Sequence, residues 1–502
     1  MDNLEVSLRR KIRVDPGEVV VGLLEGVARR AQSDKPVLLE SVTIGRVARP
    51  GLVRAALVAL TTAMVVAAAA GERPGVLPAG DLRPASVPPG LWSVVQQVVG
   101  AGLAPAGKAG DPKGGCTGCM KLLAHGEVGG GRFGYSVALS ANGDTALIGA
   151  PFENSSAGAA WVFTRSGSTW AEQGKKLTGS GRTAGGLFGY SVALSANGDT
   201  ALVGDYVVTG QGAAWVFTRS GSAWSQQGPK LRGKGVTVYE GSGSRFGTAV
   251  ALSADGNTAL IGGYNDRGGV GAAWVFTRSG STWAEQGPKL NGGGEEGYGS
   301  FGFSVALAGN GDTALVGGNA DGNNGAGAAW VFTRSGPTWA QQGKKLAGSD
   351  ESGRALFGND VALSFDGSTA LVGGPYDDNN VGAAWVFTRS GSTWAEQGPK
   401  LTGGGEAGSA WFGETVALSA AGKKALVGGP YDNSSFGAAW VFGRSGSTWA
   451  QQGNKLTASD ETGKAGFGIY VALSANGNTG LVGGGGDDHG VGAAWAFYLN
   501  HP

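Results

Sequence analysis

A Phe-Gly pair recurs seven times along this chain of 502 residues, at intervals of 55 to 58 residues. The pairs begin at Phe133, Phe188, Phe246, Phe301, Phe357, Phe412 and Phe467. The first copy reads FGYSVALSANGDTALIG over 133–149, then a polar loop, GAAWVFTRSGSTW over 158–170 and KKL over 175–177. A period of this length, containing only strand and turn signals, is typical of a propeller blade.

Within each copy, turn residues separate four short apolar runs, which we name strands A to D. In the first copy they span roughly 135–140, 145–150, 159–164 and 169–177. Asn142-Gly143 suits a tight hairpin between A and B, since both central residues of such a turn need positive φ. The runs are apolar on both faces, as expected for a sheet packed between two neighbouring sheets. The sequence therefore predicts an all-β, seven-bladed β-propeller.

The seventh copy contains strands A to C but no strand D before Pro502. Ahead of the first copy, Met120, Lys121 and Leu122 repeat the Lys-Leu ending of strand D. We therefore expect this N-terminal strand to complete the last blade and close the ring, since closure removes exposed strand edges.

The stretch FGYSVALSANGDTALIGAP resembles the FG-GAP repeat of integrin α chains and of many bacterial surface proteins, and the resemblance covers about residues 116–499. It implies a seven-bladed propeller with a role in binding. The full Gly-Ala-Pro triplet stands only at 149–151, with Gly-Gly-Pro at 373–375 and 428–430. The integrin-like repeats also carry an acidic calcium loop, where this chain has a short hairpin, so we predict no cofactor and do not carry over that calcium site.

The N-terminal part has a different composition and predicts three further segments. Residues 1–54 are basic and are expected to be cytoplasmic, with helices over 3–32. Residues 55–71 include a run of 16 uncharged residues, which predicts a transmembrane helix. Residues 72–115 are rich in Pro and Gly and read as a stalk leading to the propeller at 116–502. The basic flank places the propeller outside the cytoplasm, and secretion after signal cleavage is the alternative.

Cys116 and Cys119 are the only cysteines and form the spacing CTGC. A local disulfide suits an extracytoplasmic setting. A thiol oxidoreductase site is the alternative, but it calls for a helix N-terminus that lowers the thiol pKa, and this segment reads as strand or stalk. Two cysteines alone also do not complete a structural zinc site.

Two other residue types recur once per copy. Tryptophans occupy one position in strand C and another in strand D, which indicates packing between blades more than sugar stacking. They stand at Trp161, Trp215, Trp274, Trp330, Trp385, Trp440 and Trp495, and at Trp170, Trp224, Trp283, Trp339, Trp394 and Trp449. An arginine follows strand C in six copies and is interpreted as a solvated rim. These are Arg165, Arg219, Arg278, Arg334, Arg389 and Arg444.

The B–C and D–A loops vary in length and sequence, as binding loops on a rigid scaffold do. The B–C loops place acids in every copy: Glu153, Asp205, Asp266, Asp321, Asp377, Asp378, Asp432, Asp487 and Asp488. The D–A loops add Glu127, Glu240, Glu295, Glu296, Asp350, Glu351, Glu406, Asp460 and Glu461. We predict an acidic face that binds a protein or carbohydrate ligand, or scattered divalent cations. The alternative is that these acids only solubilise glycine-rich loops.

The sequence shows no catalytic constellation. The three histidines stand near the chain ends, and only His489 has acidic neighbours, Asp487 and Asp488. The net charge of +1 gives no indication of a nucleic-acid partner. We therefore predict a membrane-anchored, non-enzymatic binding or adhesion module outside the cell. A structural scaffold of an envelope complex and a propeller-hosted hydrolase are the alternatives.

Overall fold

The computed structural model describes residues 6–12, 22–29, 38–44 and 119–499, apart from 183–184, 208–209, 238–241 and 323. The chain divides into two compact units, Met1–Lys108 and Ala109–Pro502. Among the described residues, no helix is both long and apolar enough to cross a membrane. The predicted transmembrane helix (55–71) and stalk (72–115) lie outside the described residues.

The first unit contains a three-stranded antiparallel sheet in the order β1-β2-β3. The strands are β1 (Val6–Ile12), β2 (Gly22–Arg29) and β3 (Leu38–Ile44). The helices expected over residues 3–32 were wrong. Apolar residues in β1 recur at Val6, Leu8 and Ile12, which fits the period of two of a strand.

The second unit is built from seven four-stranded antiparallel sheets, one for each Phe-Gly repeat. Blade 1 comprises β5 (Ser136–Leu139), β6 (Thr145–Ala150), β7 (Ala159–Ser166) and β8 (Thr169–Glu172). Blade 2 comprises β9 (Ser191–Leu194), β10 (Thr200–Gly204), β11 (Ala214–Ser220) and β12 (Ala223–Gln226). Blade 3 comprises β13 (Ala249–Leu252), β14 (Thr258–Gly263), β15 (Ala272–Ser279) and β16 (Thr282–Glu285).

The next three blades repeat this order. Blade 4 comprises β17 (Ser304–Leu307), β18 (Thr313–Gly318), β19 (Ala328–Ser335) and β20 (Thr338–Gln341). Blade 5 comprises β21 (Val361–Leu363), β22 (Thr369–Gly374), β23 (Ala383–Ser390) and β24 (Thr393–Glu396). Blade 6 comprises β25 (Thr415–Leu418), β26 (Lys424–Gly429), β27 (Ala438–Ser445) and β28 (Thr448–Gln451).

Blade 7 combines the two ends of the described propeller. It contains β29 (Val471–Leu473), β30 (Thr479–Gly484) and β31 (Ala493–Tyr498), and its outer strand is β4 (Cys119–Leu122). The β31–β4 register pairs Ala494 with Leu122 and Phe497 with Cys119. Phe133 also bridges Gly492 of blade 7, as Phe188 bridges Gly158 of blade 1. Blades 7 and 1 are therefore joined by the same contact as consecutive blades.

The core lies between the blades and not within any one of them. Seven apolar clusters each combine side chains of two adjacent blades. Every strand-C tryptophan is fully buried, which confirms the packing role. In blade 1, Phe133 meets Trp161 edge-on with ring centroids 5.7 Å apart. Each blade thus supplies half of two interfaces, which is why one blade could not bury its own apolar faces.

The glycines of the repeat permit close backbone approach between blades. A Cβ on Gly149 would lie 2.1 Å from the carbonyl oxygen of Gly189 in the next blade. Gly189 itself has φ of +90°, which L side chains rarely adopt. These two glycines bring strand B of one blade against the Phe-Gly turn of the next.

Four short helical segments and one 3-10 turn occupy B–C loops. The assigned segments are α1 (Glu153–Ser156), α2 (Asp377–Asn380), α3 (Asp432–Ser435) and α4 (Asp487–Gly490), with a 3-10 turn at Asp266–Gly268. Each begins with a buried acid and continues through residues of positive φ. These loops share one side of the disc with the D–A loops, and we call this side the loop face. The A–B and C–D hairpins form the opposite side, the hairpin face.

Candidate functional site

The first acid of each B–C loop is buried. Seven of the nine predicted ligand residues are at most 2% exposed: Glu153, Asp205, Asp266, Asp321, Asp377, Asp432 and Asp487. Six of these pair with the lysine of the Lys-Leu motif. The pairs are Glu153–Lys176 (2.5 Å), Asp266–Lys289 (2.5 Å), Asp321–Lys345 (2.5 Å), Asp377–Lys400 (2.6 Å), Asp432–Lys455 (2.5 Å) and Asp487–Lys121 (2.7 Å).

Each buried pair ties together three segments of the loop face, as blade 5 illustrates. Asp377 accepts a hydrogen bond from the Ser352 backbone N–H at 2.6 Å. The Lys400 ammonium also donates to the Asp350 carbonyl at 2.9 Å and lies 6.0 Å from the centre of the Trp385 ring. These contacts connect the B–C loop, the D–A loop and strand D, so the six paired acids serve the architecture of the loop face.

Asp205 differs from the other six. It stands at the end of strand B and accepts the Ala213 backbone N–H at 2.7 Å. Burial raises its pKa to about 7, against the opposing effect of that hydrogen bond and of the nearby Lys230 charge. Asp205 therefore supports the turn into strand C of blade 2.

Asp378 and Asp488 are the two predicted ligand residues that lie at the surface. Both directly follow a buried acid and have positive φ, +47° and +45°. A loop-face acidic surface is thus much smaller than the sequence indicated, because most of its acids are paired with lysines. Ligand binding by these nine residues stays a prediction, and only this exposed pair could meet a ligand without opening a loop.

A second set of acids lies beside the buried pairs, in the D–A loops. Burial raises the pKa of Glu295, Glu351, Glu406 and Glu461 to about 7, and the charge of the neighbouring buried Asp adds to the shift. Burial likewise raises the pKa of Glu127. In blade 5, Glu351 accepts the Gly348 backbone N–H at 2.8 Å. Glu240 lies outside the described residues.

Among the otherwise constant strand segments, two varied positions occur where strand A starts, next to the ring axis. All copies share Val-Ala-Leu in strand A, whereas the two positions between Phe-Gly and that Val differ. The first of these positions holds Tyr135, Tyr190, Thr248, Phe303, Asn359, Glu414 and Ile469. Strand A of each blade contacts strand A of the next around the ring, so it is the innermost strand. We call the residues at its start, with the loop residues that touch them, the axial site.

One side of the axial site is an arc of aromatic rings interrupted by an arginine. Tyr206 and Tyr264 enter the arc from B–C loops, and Arg245 lies between them. The ring centroids of successive pairs are 5.7 Å apart for Tyr470–Tyr135, 5.0 Å for Tyr135–Tyr190, 4.8 Å for Tyr190–Tyr206 and 5.2 Å for Tyr264–Phe303. The Arg245 guanidinium lies 5.2 Å from the ring centre of Tyr206 and 5.0 Å from that of Tyr264. Burial raises the pKa of Tyr264 to about 12, so its phenol stays neutral at physiological pH.

The other side of the axial site is polar. The Asn319 amide donates to Asn359 at 3.0 Å, and Asn359 donates to the Glu414 carbonyl at 3.1 Å. Asp360 accepts the Val416 backbone N–H at 2.7 Å. Burial raises the pKa of both Asp360 and Glu414 to about 7, and the Asp360 charge contributes to the shift of Glu414.

The two sides converge on Tyr470. Burial raises the pKa of its phenol, and the charges that add to this shift belong to Tyr190, Asp360 and Glu414. Residues from blades 2, 5, 6 and 7 therefore lie within electrostatic reach of one hydroxyl group. This is the only place on the described propeller where we find aromatic, carboxyl and amide side chains from so many blades together.

The residue before each Phe-Gly pair extends this variation outward on the loop face. It has φ between +51° and +60° in every copy: Arg132, Leu187, Arg245, Ser300, Leu356, Trp411 and Gly466. Non-glycine residues rarely hold this conformation, which is enriched at functional sites. Trp411 lies between Tyr376, at 4.7 Å, and Tyr431, at 4.0 Å, and forms a second aromatic cluster.

Two polar atoms of the axial site lack a hydrogen-bond partner within the described chain. They are Nε of Arg245 and Oγ1 of Thr248, and the Thr248 side chain is only 6% exposed. Unsatisfied buried polar atoms are costly and are uncommon in native proteins.

The other predicted sites are placed as follows. Cys119 is disulfide-bonded, while Cys116 lies outside the described residues. His489 is exposed in α4, and His125 Nδ1 lies 3.0 Å from Glu172. No group of three or more Cys, His, Asp or Glu that could hold a metal ion occurs among the described residues.

Sequence reasoning missed the axial site because it compared loops and not strand starts. The signal was available in the copies themselves. Val-Ala-Leu and Gly-Ala-Ala-Trp are identical in all seven, so substitutions beside Phe-Gly stand out against a constant background. That these varied positions meet at the ring axis is evident only from the arrangement of the seven blades.

The family model of the FG-GAP repeat matches residues 117–163 and 339–387. The chain carries FG-GAP repeats. The matched segments cover the closing strand with most of blade 1, and the end of blade 4 with most of blade 5. The remaining FG-GAP copies follow from the identical strand pattern of the other blades. No curated protein matches the sequence.

Among solved structures, the FG-GAP propeller is similar to a protein from Bacteroides uniformis described as a putative 6-phosphogluconolactonase. The two share 13% sequence identity with a TM-score of 0.47, and the match covers 64% of this chain and 85% of that one. At this level the match carries no argument about function.

Proposed function

We propose that this FG-GAP propeller is a binding module and that the axial site on the loop face contacts the ligand. The observation that carries the proposal is the convergence of varied aromatic and polar side chains at the axis of an otherwise repetitive ring. The residues that are identical in all copies are sufficient for packing between blades. Variation at the start of strand A, within otherwise constant strand segments, therefore supports a particular contact surface there.

The chemistry of the axial site favours a polyhydroxylated ligand, such as a glycan. Aromatic rings offer flat apolar surface for the C–H faces of a sugar, and phenols, amides and carboxyls can bond its hydroxyls. Tyr190 and Tyr206 stack nearly parallel, with an interplanar angle of 27°. Nε of Arg245 and Oγ1 of Thr248 are polar atoms without a hydrogen-bond partner beside this stack.

We also propose that residues 55–71 anchor the chain in a membrane, with the propeller outside the cytoplasm. The support is the uncharged run of 16 residues after a basic segment. Membrane fractionation of tagged protein would test this. Release by carbonate or high salt would contradict an integral anchor, and release of a shortened chain into the medium would indicate signal cleavage instead.

The binding proposal can be tested with a glycan array, followed by calorimetry on any glycan that binds. We expect Trp411→Ala and Glu414→Gln to weaken binding at least tenfold. Asp378→Asn tests the exposed acid predicted from the sequence, and Ser222→Ala, at an exposed position of the hairpin face, is the control. Binding that is unchanged in both axial variants would overturn the assignment of the site.

A hydrolase is a second candidate, favoured by one observation. Asp360 and Glu414 are neighbouring carboxyl groups whose pKa values are both raised to about 7, and such pairs occur in glycoside hydrolysis. Incubating the bound glycans with protein between pH 5 and 7 and measuring reducing ends would decide. Turnover that is abolished by Asp360→Asn would favour catalysis over simple binding.

A further inference from the structure

A cavity of about 580 Å³ lies on the hairpin face, between blades 5 and 6. Arg389, Lys423 and Arg444 line it, together with the hydroxyl-bearing Ser368, Thr369 and Thr388. None of the described lining residues carries a carboxylate. The cavity is therefore positively charged and rich in hydrogen-bond donors.

In blades 1, 2 and 4 the equivalent arginine is neutralised within its own blade. Each of these three arginines lies near the end of strand C and pairs with an aspartate of the A–B hairpin. The pairs are Arg165–Asp144 (2.5 Å), Arg219–Asp199 (2.7 Å) and Arg334–Asp312 (2.6 Å). In blade 3 the arginine Arg278 instead donates to the Asn257 side chain at 2.9 Å.

Blades 5 and 6 keep the arginine but have lost its acidic partner. The Arg389 backbone N–H donates to the Ser368 carbonyl at 2.8 Å, and Arg444 donates to that of Lys423 at 2.8 Å. Arg165 makes the same backbone bond to Asp144, so Ser368 and Lys423 occupy the aspartate position. The substitution removes one negative charge in blade 5 and reverses it in blade 6.

The two guanidinium groups are consequently left with weak partners. Arg389 makes no side-chain hydrogen bond or ion pair to the described residues and lies 5.7 Å from the Trp394 ring centre. Arg444 donates to the Gly446 carbonyl at 3.0 Å and makes long contacts of 3.4 Å to the Thr369 hydroxyl and to the Gly422 carbonyl. The Asp366 carboxylate, two residues before Ser368, already accepts the Ser364 and Ser368 hydroxyls.

We propose that this cavity binds an oxyanion, the phosphate or sulfate group of a ligand. Planar guanidinium groups donate two parallel hydrogen bonds to such groups, and a lysine adds a flexible point charge. The surrounding hydroxyls supply neutral donors. This basic cavity is separate from the axial site, because the two lie on opposite faces of the disc.

The full-length protein provides the test, with inorganic phosphate and inorganic sulfate as probes. Calorimetric titration at constant ionic strength, with chloride as the reference anion, should show saturable binding of phosphate or sulfate. Binding should weaken as salt increases, since the contacts are between charges. Heat and thermal stability that do not differ from chloride would overturn the proposal.

The repeat itself supplies the matched variant. Ser368→Asp with Lys423→Asp restores at both positions the residue found in blades 1, 2 and 4, so the fold is expected to persist. Internal pairing with Arg389 and Arg444 should then weaken phosphate binding at least tenfold. Glu414→Gln, at the axial site, should leave phosphate binding unchanged. Equal affinity in the double variant and the wild type would refute the site.

The source of the oxyanion can be separated with vesicles. Co-sedimentation with phosphatidylglycerol vesicles, but not with phosphatidylcholine vesicles, and its loss in the double variant would identify a lipid headgroup as an acceptable ligand. Phosphate binding without vesicle binding would indicate a soluble ligand. Both results support an oxyanion site in this cavity.

Discussion

Replacing Asp377 with Asn separates an architectural role of the loop-face acids from a binding role. The Asp377 side chain is 1% exposed and that of its partner Lys400 is 20% exposed, with 2.6 Å between the charged groups. The neighbouring Asp378 is exposed and belongs to the same turn. Asp377→Asn and Asp378→Asn therefore remove the same charge from adjacent positions in different environments.

The cost of Asp377→Asn follows from the contacts that remain. Breaking a buried ion pair by removing one partner costs about 3 to 5 kcal/mol. Asn retains an acceptor for the Ser352 N–H, and Lys400 keeps the Asp350 carbonyl and some contact with water. We therefore expect a loss at the lower limit, about 3 kcal/mol. For a domain of this size that corresponds to a fall of about 4 °C in Tm.

Asp378→Asn is expected to change stability by less than about 0.5 kcal/mol, because Asn tolerates positive φ as well as Asp. Differential scanning calorimetry at pH 7.5 would measure both variants. A double-mutant cycle with Lys400→Met isolates the pair, and a coupling energy of at least about 1 kcal/mol is expected. Equal Tm values for the two Asn variants, or no coupling, would refute the reasoning.

Two further predictions concern pH and backbone conformation. The pKa of Glu351 and of Glu406 is about 7 in the fold against an ordinary 4.5, so their stabilising contribution is complete below pH 4.5 and is lost as the pH rises through 7. The Tm of the wild type should fall between pH 5 and pH 8. The double variant Glu351→Gln with Glu406→Gln should show a smaller fall over the same range. A fall in the double variant that is steeper than in the wild type would contradict the account. Gly466 has φ of +60° and a Cβ there would meet no atom within 4 Å, so Gly466→Ala should cost about 1 kcal/mol from backbone strain alone. No loss in urea unfolding would contradict this.

The architecture was predictable because the same pattern of strands and turns occurs in seven copies. Turn dipeptides, apolar runs and the constant Phe-Gly and Gly-Ala-Ala-Trp segments specify four strands per copy, and stacking is the only way to bury two apolar faces. The burial of Trp161 and its equivalents followed from the same logic. Each of these inferences depends on local pattern and on repetition.

The functional surface was less predictable, because the sequence shows which side chains are charged but not which opposite charges they pair with. The Lys-Leu motif served only to mark strand D, whereas in the fold Lys176 and its equivalents lie against the first acid of the B–C loop. That pairing joins residues about twenty positions apart through blade geometry. The reverse holds at Arg389, where the missing aspartate becomes meaningful only once the hairpins are seen side by side.

Comparison of the copies offers a general rule for such repeats. A residue present in every copy belongs to the interface between units, as the strand-C tryptophans do. A residue that departs from the consensus, such as Glu414 or Lys423, identifies where one unit has acquired a separate task. Both surfaces proposed for binding were found by this criterion.

The account depends most on the closing strand β4, because the axial site and both faces exist only if the ring is closed. Leu122 is 3% exposed and packs in the cluster between blades 7 and 1, whereas Leu123 is 51% exposed. The most direct measurement is the Tm of full-length Leu122→Asp compared with Leu123→Asp. We predict that Leu122→Asp lowers the Tm by at least about 5 °C, the equivalent of roughly 4 kcal/mol for a charge buried in an apolar cluster, and that Leu123→Asp leaves it unchanged. Equal Tm values for the two variants would show that the strand from Cys119 to Leu122 does not close the propeller.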